Sequence, residues 1–307
     1  MTTEWSSLPQ QVCRSQLVNT VIQRFTISIP SQWNAQLQEQ EAFPASNDYS
    51  GQVPTRPLSS SWGDRKLPTM ISFIVPAYNE AQCLVETLDS LHQTGQALGE
   101  KYEVVVADDG STDQTAAIAV QKGATLVSVN HRQIAVTRNF GALASSGHWL
   151  IFVDADTVVN VDVVRSAVRS MRDGTVGGGA GLCFDEPVPG YARLLLRVIV
   201  RIFHATGIST GCYLFCTQAA FTPVDGFDER YYGAEEIVMN RALKRQGKFV
   251  ILKQMVTTSA RKLRTYSPGE TIKMMVRMAL RGTQALKQRQ GIEFWYAERR
   301  QDRRHYA

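Results

Sequence analysis

The 307-residue chain is 44% hydrophobic, enough for one large domain or two small ones around a substantial core. Its net charge of +5 is segregated: 5 basic and 5 acidic residues in 1–67, 14 and 19 in 68–247, and 14 and 4 in 248–307, an acidic body with a basic tail suited to nucleic acid, anionic lipid or a phosphorylated substrate. No run approaches the roughly 18 apolar residues of a membrane span, and MTTEWSSLPQ lacks a signal-peptide layout, so the expectation is a protein neither secreted nor crossing a bilayer. Cys13, Cys83, Cys183, Cys212 and Cys216 are odd in number and lack C-x-x-C spacing, and read as reduced core residues of a cytosolic protein.

Residues 1–67 are rich in Ser, Gln and Pro and predict a flexible leader with one apolar-periodic stretch at 17–29. From 68 onward short apolar runs alternate with helical periodicity: strand 71–75, helix 80–93, strand 102–107, helix 113–122, strand 124–129, helix 134–146 and strand 149–153. This βαβα order predicts an α/β fold, a mainly parallel sheet with helices on both faces. Its strand C-termini should line one edge, where open α/β sheets bind ligands. Pro76 cannot donate to a ladder and is expected to stop the first strand. The second half is less regular, with a Gly-rich strand TVGGGAGLCF, a helix at 191–204, a strand at 210–216, a loop PVDGFDERYYGAEE, a helix at 235–246 and a strand at 248–252. A long helix at 268–289 and a charged end follow, so the domains read as leader 1–67, body 68–260 and basic helical extension 261–307.

Three acidic groups fall just past these elements. VVVADDGSTD puts Asp108 and Asp109 after one strand, LIFVDADTV puts Asp154 and Asp156 after another, and YYGAEEIV puts Glu235 and Glu236 at a helix start. Unneutralised carboxylates along one edge repel each other, and a divalent cation or donor-rich ligand resolves that. Oxygen ligands alone in an Asp-x-Asp suit Mg²⁺ or Mn²⁺ on phosphates rather than zinc. Helix-start acids also stabilise the macrodipole, which is the alternative for Glu235 and Glu236.

The pattern resembles family 2 glycosyltransferases of the GT-A fold from about residue 70 to about 260. VPAYNE, ADDGSTDQT, VTRNFGALASSGHWLIFVDAD and GFDERYYGAEEIVMNRALKRQG carry the likeness, each weakly specific but in the family's order and spacing. The resemblance implies a Rossmann-like GT-A domain that inverts configuration while moving a sugar from a UDP- or GDP-linked donor to a saccharide or lipid-linked acceptor in cell-surface glycan or glycolipid synthesis. It implies that Pro76, Ala77, Tyr78 and Glu80 contact base and ribose, that Asp108 accepts a hydrogen bond from the base, and that Arg138 is available to base or phosphate. Asp156 would coordinate Mg²⁺ or Mn²⁺ on the diphosphate, with Asp154 nearer the ribose or the metal's water shell. The family's base is the second residue of a Glu-Asp pair, here Glu236, with Glu235 in contention. Glutamate in place of aspartate, and Val238 where a further aspartate is usual, are departures from the pattern.

Arg193, Arg197 and Arg201, and again Lys273, Arg277 and Arg281, form basic stripes on apolar helices. They suit an anionic membrane surface or a lipid-diphosphate acceptor, with EFWYAERRQDRR at the same interface; the alternative is that both helices pack on the core and their arginines face water. The expectation is a cytoplasmic protein that binds no nucleic acid, with attachment to the inner face of the membrane as one of these two readings. Three rival readings are a haloacid-dehalogenase-like phosphatase with Asp154 as nucleophile, a nucleotidyltransferase, and a nucleotide-sugar-binding protein without chemistry. The first leaves VPAYNE and DDGSTD unexplained, and the second lacks a Gly-rich, lysine-bearing phosphate loop.

Overall fold

The computed structural model describes residues 70–185 and 209–261, together with Gly269 and Lys287. The leader, Cys13, the expected helix at 191–204 and, apart from Gly269 and Lys287, the expected helix at 268–289 lie outside these residues.

The elements run in chain order β1 (Met70–Ala77), α1 (Ala81–Leu98), β2 (Lys101–Asp108), α2 (Thr115–Gln121), β3 (Thr125–Ser128), α3 (Ile134–Leu143), β4 (Trp149–Val153), β5 (Thr157–Val158), α4 (Val161–Arg172), β6 (Gly177–Phe184), β7 (Tyr213–Thr217), α5 (Gln218–Phe221), a 3-10 turn (Thr222–Val224), α6 (Glu235–Gln246) and β8 (Phe249–Thr258). They form an eight-stranded sheet in the order β3-β2-β1-β4-β7-β6-β8-β5. β1 pairs in parallel with both β2 and β4, β2 with β3, and β6 with β8. The β4–β7, β6–β7 and β5–β8 pairs are antiparallel.

Both faces of the sheet are buried. Alternate β1 residues Ile71, Phe73 and Val75 join Leu84, Leu88 and Leu91 of α1 and Val163, Ala167 and Met171 of α4 in one core. Ile74 joins Leu150, Phe152, Leu214, Met239 and Leu243 in a second core on the opposite face. This division is the period-two alternation of a strand covered on both sides.

Pro76 does not stop β1, which continues to Ala77 in register with Ala107 and Asp108 of β2. The β4 ladder reaches only Ile74, so at Pro76 one flank of the strand no longer needs an amide donor. Helix α4 was not among the expected elements. Asn160 caps it by accepting from the Val163 N–H at 2.9 Å, and Asp162 opens the first turn while Arg169 and Arg172 close the last. Strand β8 also runs six residues past the expected 252, across a register shift between Ala180 and Gly181 of its partner.

Candidate active site

The C-terminal ends of β1, β2 and β4 bring the first two acidic groups to one edge. At β1, Asn79 takes a left-handed φ of 50°. Its N–H donates to Ser111 Oγ at 2.9 Å and its Oδ1 accepts from the Thr112 N–H at 2.8 Å. The Glu80 N–H donates to Thr115 Oγ1 at 2.9 Å, so the polar turn of VPAYNE is stitched to DDGSTD before any ligand arrives.

Asp108 and Asp109 face different tasks. Asp109 accepts from the backbone N–H groups of His131, Arg132 and Gln133, each at 2.8 Å, and from Thr137 Oγ1 at 2.9 Å. Its carboxylate therefore anchors the loop that opens α3. Asp108 is also buried, but its Oδ1 has no hydrogen-bond partner, and the carboxylate meets Ser111 alone, through its hydroxyl and through a long 3.4 Å contact from its N–H to Oδ2. Desolvation pushes the Asp108 carboxyl above the usual carboxylate range. The anchored loop lays the Arg132 guanidinium on the Tyr78 ring, 3.1 Å from its centroid. Arg132 was not predicted from sequence, and its only local signal is the unusual φ of 51°.

Two further expectations change. Glu80 is 3% exposed, and its carboxylate pairs with the Arg261 guanidinium, which reaches it from beyond β8. A base or ribose ligand would have to compete with that buried pair. Arg138 is 2% exposed, and it is spent on the protein rather than presented to base or phosphate. Its Nη1 bonds Glu235, and its Nη2 bonds Asp154 Oδ1 at 2.8 Å and the Gly211 carbonyl at 2.9 Å. These carboxylates hold the guanidinium well above its ordinary pKa despite burial.

The rest of Arg-Asn-x-Gly is equally structural. Asn139 brackets Phe227, accepting its N–H at 2.8 Å and donating to its carbonyl at 2.9 Å, which fixes the Gly-Phe-Asp-Glu loop. A Cβ on Gly141 would lie 2.6 Å from Ile74 Cγ2, so glycine lets α3 lie directly on β1.

Glu235 is buried on Arg138, whereas Glu236 is half-buried and accepts no hydrogen bond from another side chain among the described residues. A Cβ on Gly211 would sit 3.3 Å from Glu236 Cδ, so the glycine leaves room beside this carboxylate. Burial, followed by the Glu235 charge, pushes Glu236 up to about 8. Asp156 is half-buried and likewise lacks a side-chain hydrogen bond among the described residues, while its carbonyl accepts from the Ser259 N–H at 3.0 Å.

A metal fits these donors only in part. Among the described residues no three His, Cys, Asp or Glu side chains converge on one point. Asp156, with Asp154 beside it on Arg138, offers hard oxygen to Mg²⁺ or Mn²⁺, and phosphate oxygens and water would complete the shell.

Residues 72–219 match the family model "Glycosyl transferase family 2". This segment, just under half of the chain, is what the family model resembles. Undecaprenyl-phosphate 4-deoxy-4-formamido-L-arabinose transferase of Pseudomonas fluorescens is 27% identical to this chain over 47% of it and 44% of the relative. The poly(ribitol-phosphate) β-N-acetylglucosaminyltransferase TarS of Staphylococcus aureus is 34% identical over 31% of this chain and 18% of its own length. The chain thus spans less than half of these curated relatives. The mannosyltransferase PcManGT of Pyrobaculum calidifontis, solved with GDP-Man and Mn²⁺, superposes with a TM-score of 0.56 at 19% identity, covering 72% of this chain and 64% of that one. TarS 1-349 of S. aureus with UDP-GlcNAc gives 0.50 at 19% identity, covering 70% and 67%. The fold is the GT-A fold expected from the motifs.

Proposed function

We propose that the protein is an inverting glycosyltransferase that moves a sugar from a UDP- or GDP-linked donor to an acceptor hydroxyl, with Glu236 as the base. The observation that carries this reading is the Glu236 carboxylate. It is half-buried beside Gly211 without a side-chain hydrogen bond among the described residues, and burial, followed by the Glu235 charge, raises it to about 8, so its ionised, proton-accepting form grows as pH rises through neutrality. Glu235, already committed to Arg138, is the poorer candidate.

In this mechanism the base of the nucleotide rests at the end of β1 and β2, where the unpartnered Asp108 Oδ1 accepts a base N–H. Pro76, Ala77 and Tyr78 form the wall beside it, with Arg132 across the Tyr78 ring. Asp156 would hold Mg²⁺ or Mn²⁺, which supplies positive charge to the leaving diphosphate when bound. The acceptor oxygen attacks the anomeric carbon as its proton passes to Glu236. The bond to the diphosphate breaks with its electron pair, and inversion turns an α-linked donor into a β-linked product.

Acceptors in cell-surface glycan or glycolipid synthesis, saccharide or lipid-linked, are supported by the named activities of the Pseudomonas and Staphylococcus relatives. We place the reaction at the cytoplasmic face of a membrane. No helix among the described residues is long and apolar enough to cross one. A thermal-shift screen of nucleoside diphosphates with and without Mn²⁺, followed by assay of the matching nucleotide sugars, tests the proposal. Stabilisation by UDP or GDP and release of that nucleoside diphosphate support it. Pyrophosphate release, or no stabilisation by any nucleotide, contradicts it.

A further inference from the structure

We propose that Arg138 is a positioning residue for the transfer base: it ties Glu235 at the start of α6 to Asp154 at the donor edge and so fixes where the neighbouring Glu236 carboxylate stands. The inference rests on the reading of Glu236 as the base. Arg138 sits on α3 and is 2% exposed, and its fork reaches three elements at once: Glu235 on α6, Asp154 after β4 and the Gly211 carbonyl before β7. The planar fork makes that junction from two separate nitrogens, whereas the three donors of an ammonium all radiate from one atom and cannot span the same acceptors in one plane. The Arg138 ring contact to Phe227, at 5.3 Å, and the Asn139 bracket on Phe227 fix the same junction from the loop that leads into α6.

The junction also sets the charge beside the base. The groups facing Glu236 are Glu235 on its own helix, Arg138 on α3 and Asp154 after β4. Two carboxylates share one guanidinium, which leaves one negative charge unbalanced next to Glu236. Burial first, and this negative charge second, hold its proton more tightly than on an ordinary carboxyl. Arg138 thus works through Glu235 and Asp154, without touching the reacting atoms. Arg-Asn-x-Gly becomes the device that couples donor edge and base helix.

The test is the titration of Glu236 in protein labelled with ¹³C at the glutamate side-chain carboxyl, assigned by loss of its resonance in Glu236→Gln. This readout needs no sugar donor and stands even if transfer is not found. The wild-type midpoint is expected near 8. Glu235→Gln removes the like charge and releases Arg138 toward Glu236, and should lower the midpoint by about one pH unit or more. Arg138→Met should raise it by a similar ~1 unit. Arg138→Lys should keep the midpoint near the wild-type value but lower the transfer rate, with nucleoside-diphosphate binding retained. A midpoint unmoved in Glu235→Gln overturns the proposal whatever the activity. If Arg138→Met does not fold, the Glu235→Gln titration decides alone.

Discussion

The β2 edge and the start of α6 each carry two adjacent acids, and each divides them in the same way by different means. At β2, Asp109 turns into the protein and is saturated by three backbone N–H groups and a hydroxyl, while Asp108 keeps a buried oxygen without a partner. At α6, Glu235 is saturated by a guanidinium, and Glu236 is left beside the open Gly211. Asp154 and Asp156 repeat the division, the first on Arg138 and the second without a side-chain hydrogen bond. Backbone dipoles fix a loop at β2, whereas a shared cation joins two separate elements at α6. One acid of each pair is thus tied into the protein, and the neighbour is the member proposed to meet a ligand.

The sharpest way to break this comparison is at Asp109. Asp109→Ala leaves the N–H groups of His131, Arg132 and buried Gln133, and the buried Thr137 hydroxyl, without their acceptor and should cost about 2 to 3 kcal/mol in denaturant unfolding. Asp108→Asn should cost less than about 1 kcal/mol, because it removes a poorly solvated charge with few partners. Equal losses at the two positions would erase the distinction.

The next effect is on binding. Asp108→Asn should weaken UDP or GDP affinity about 10-fold, the worth of one charge-assisted hydrogen bond, as read by calorimetry. Asp109 variants that still fold should alter affinity only through the Arg132 loop. Asp156→Asn should remove the part of nucleotide binding that Mn²⁺ adds and leave the metal-free part in place.

The smallest effect sharpens the α6 half. The Glu236 carboxyl is raised to about 8, so between the ordinary carboxylate range and that value the folded protein binds more protons than the unfolded chain. Stability contributed at Glu236 therefore falls as pH rises through this window. Glu236→Gln, which cannot ionise, should gain in stability on the wild type on going from about pH 5 to pH 9. Unfolding curves at the two pH values check the sign.

Much of this was legible in the sequence, for definite reasons. The parallel half of the sheet follows from apolar strands separated by helical periodicity, and α6 begins and ends at the expected 235 and 246. Helix α4 was equally legible, with Asn160 as cap and Val163, Val164, Ala167, Val168 and Met171 on one face, yet it fell in the shadow of the Asp-x-Asp motif. β8 was cut short because LKQMVTT alternates poorly across the bulge and exposes Met255.

The positions of the acid pairs were readable, but which member of each pair is tied was not. That choice depends on partners 23 to 181 residues away: Arg132 for Asp109, Arg138 for Glu235, Arg261 for Glu80. A local motif reports that a carboxylate is present and is silent on the distant donor, backbone N–H or guanidinium, that occupies it. Arg138 was misread for the same reason, since an arginine ahead of a glycosyltransferase metal motif looks like a phosphate ligand until Glu235 is seen beside it.

The most direct test of the central division is nucleoside-diphosphate release from a panel of UDP- and GDP-sugars, with Mn²⁺, by wild type and Glu236→Gln under matched conditions. The account predicts release by the wild type and a loss of about 10²- to 10⁴-fold in the variant, the usual worth of a general base, with nucleotide affinity unchanged. Release at the wild-type rate from Glu236→Gln would contradict it.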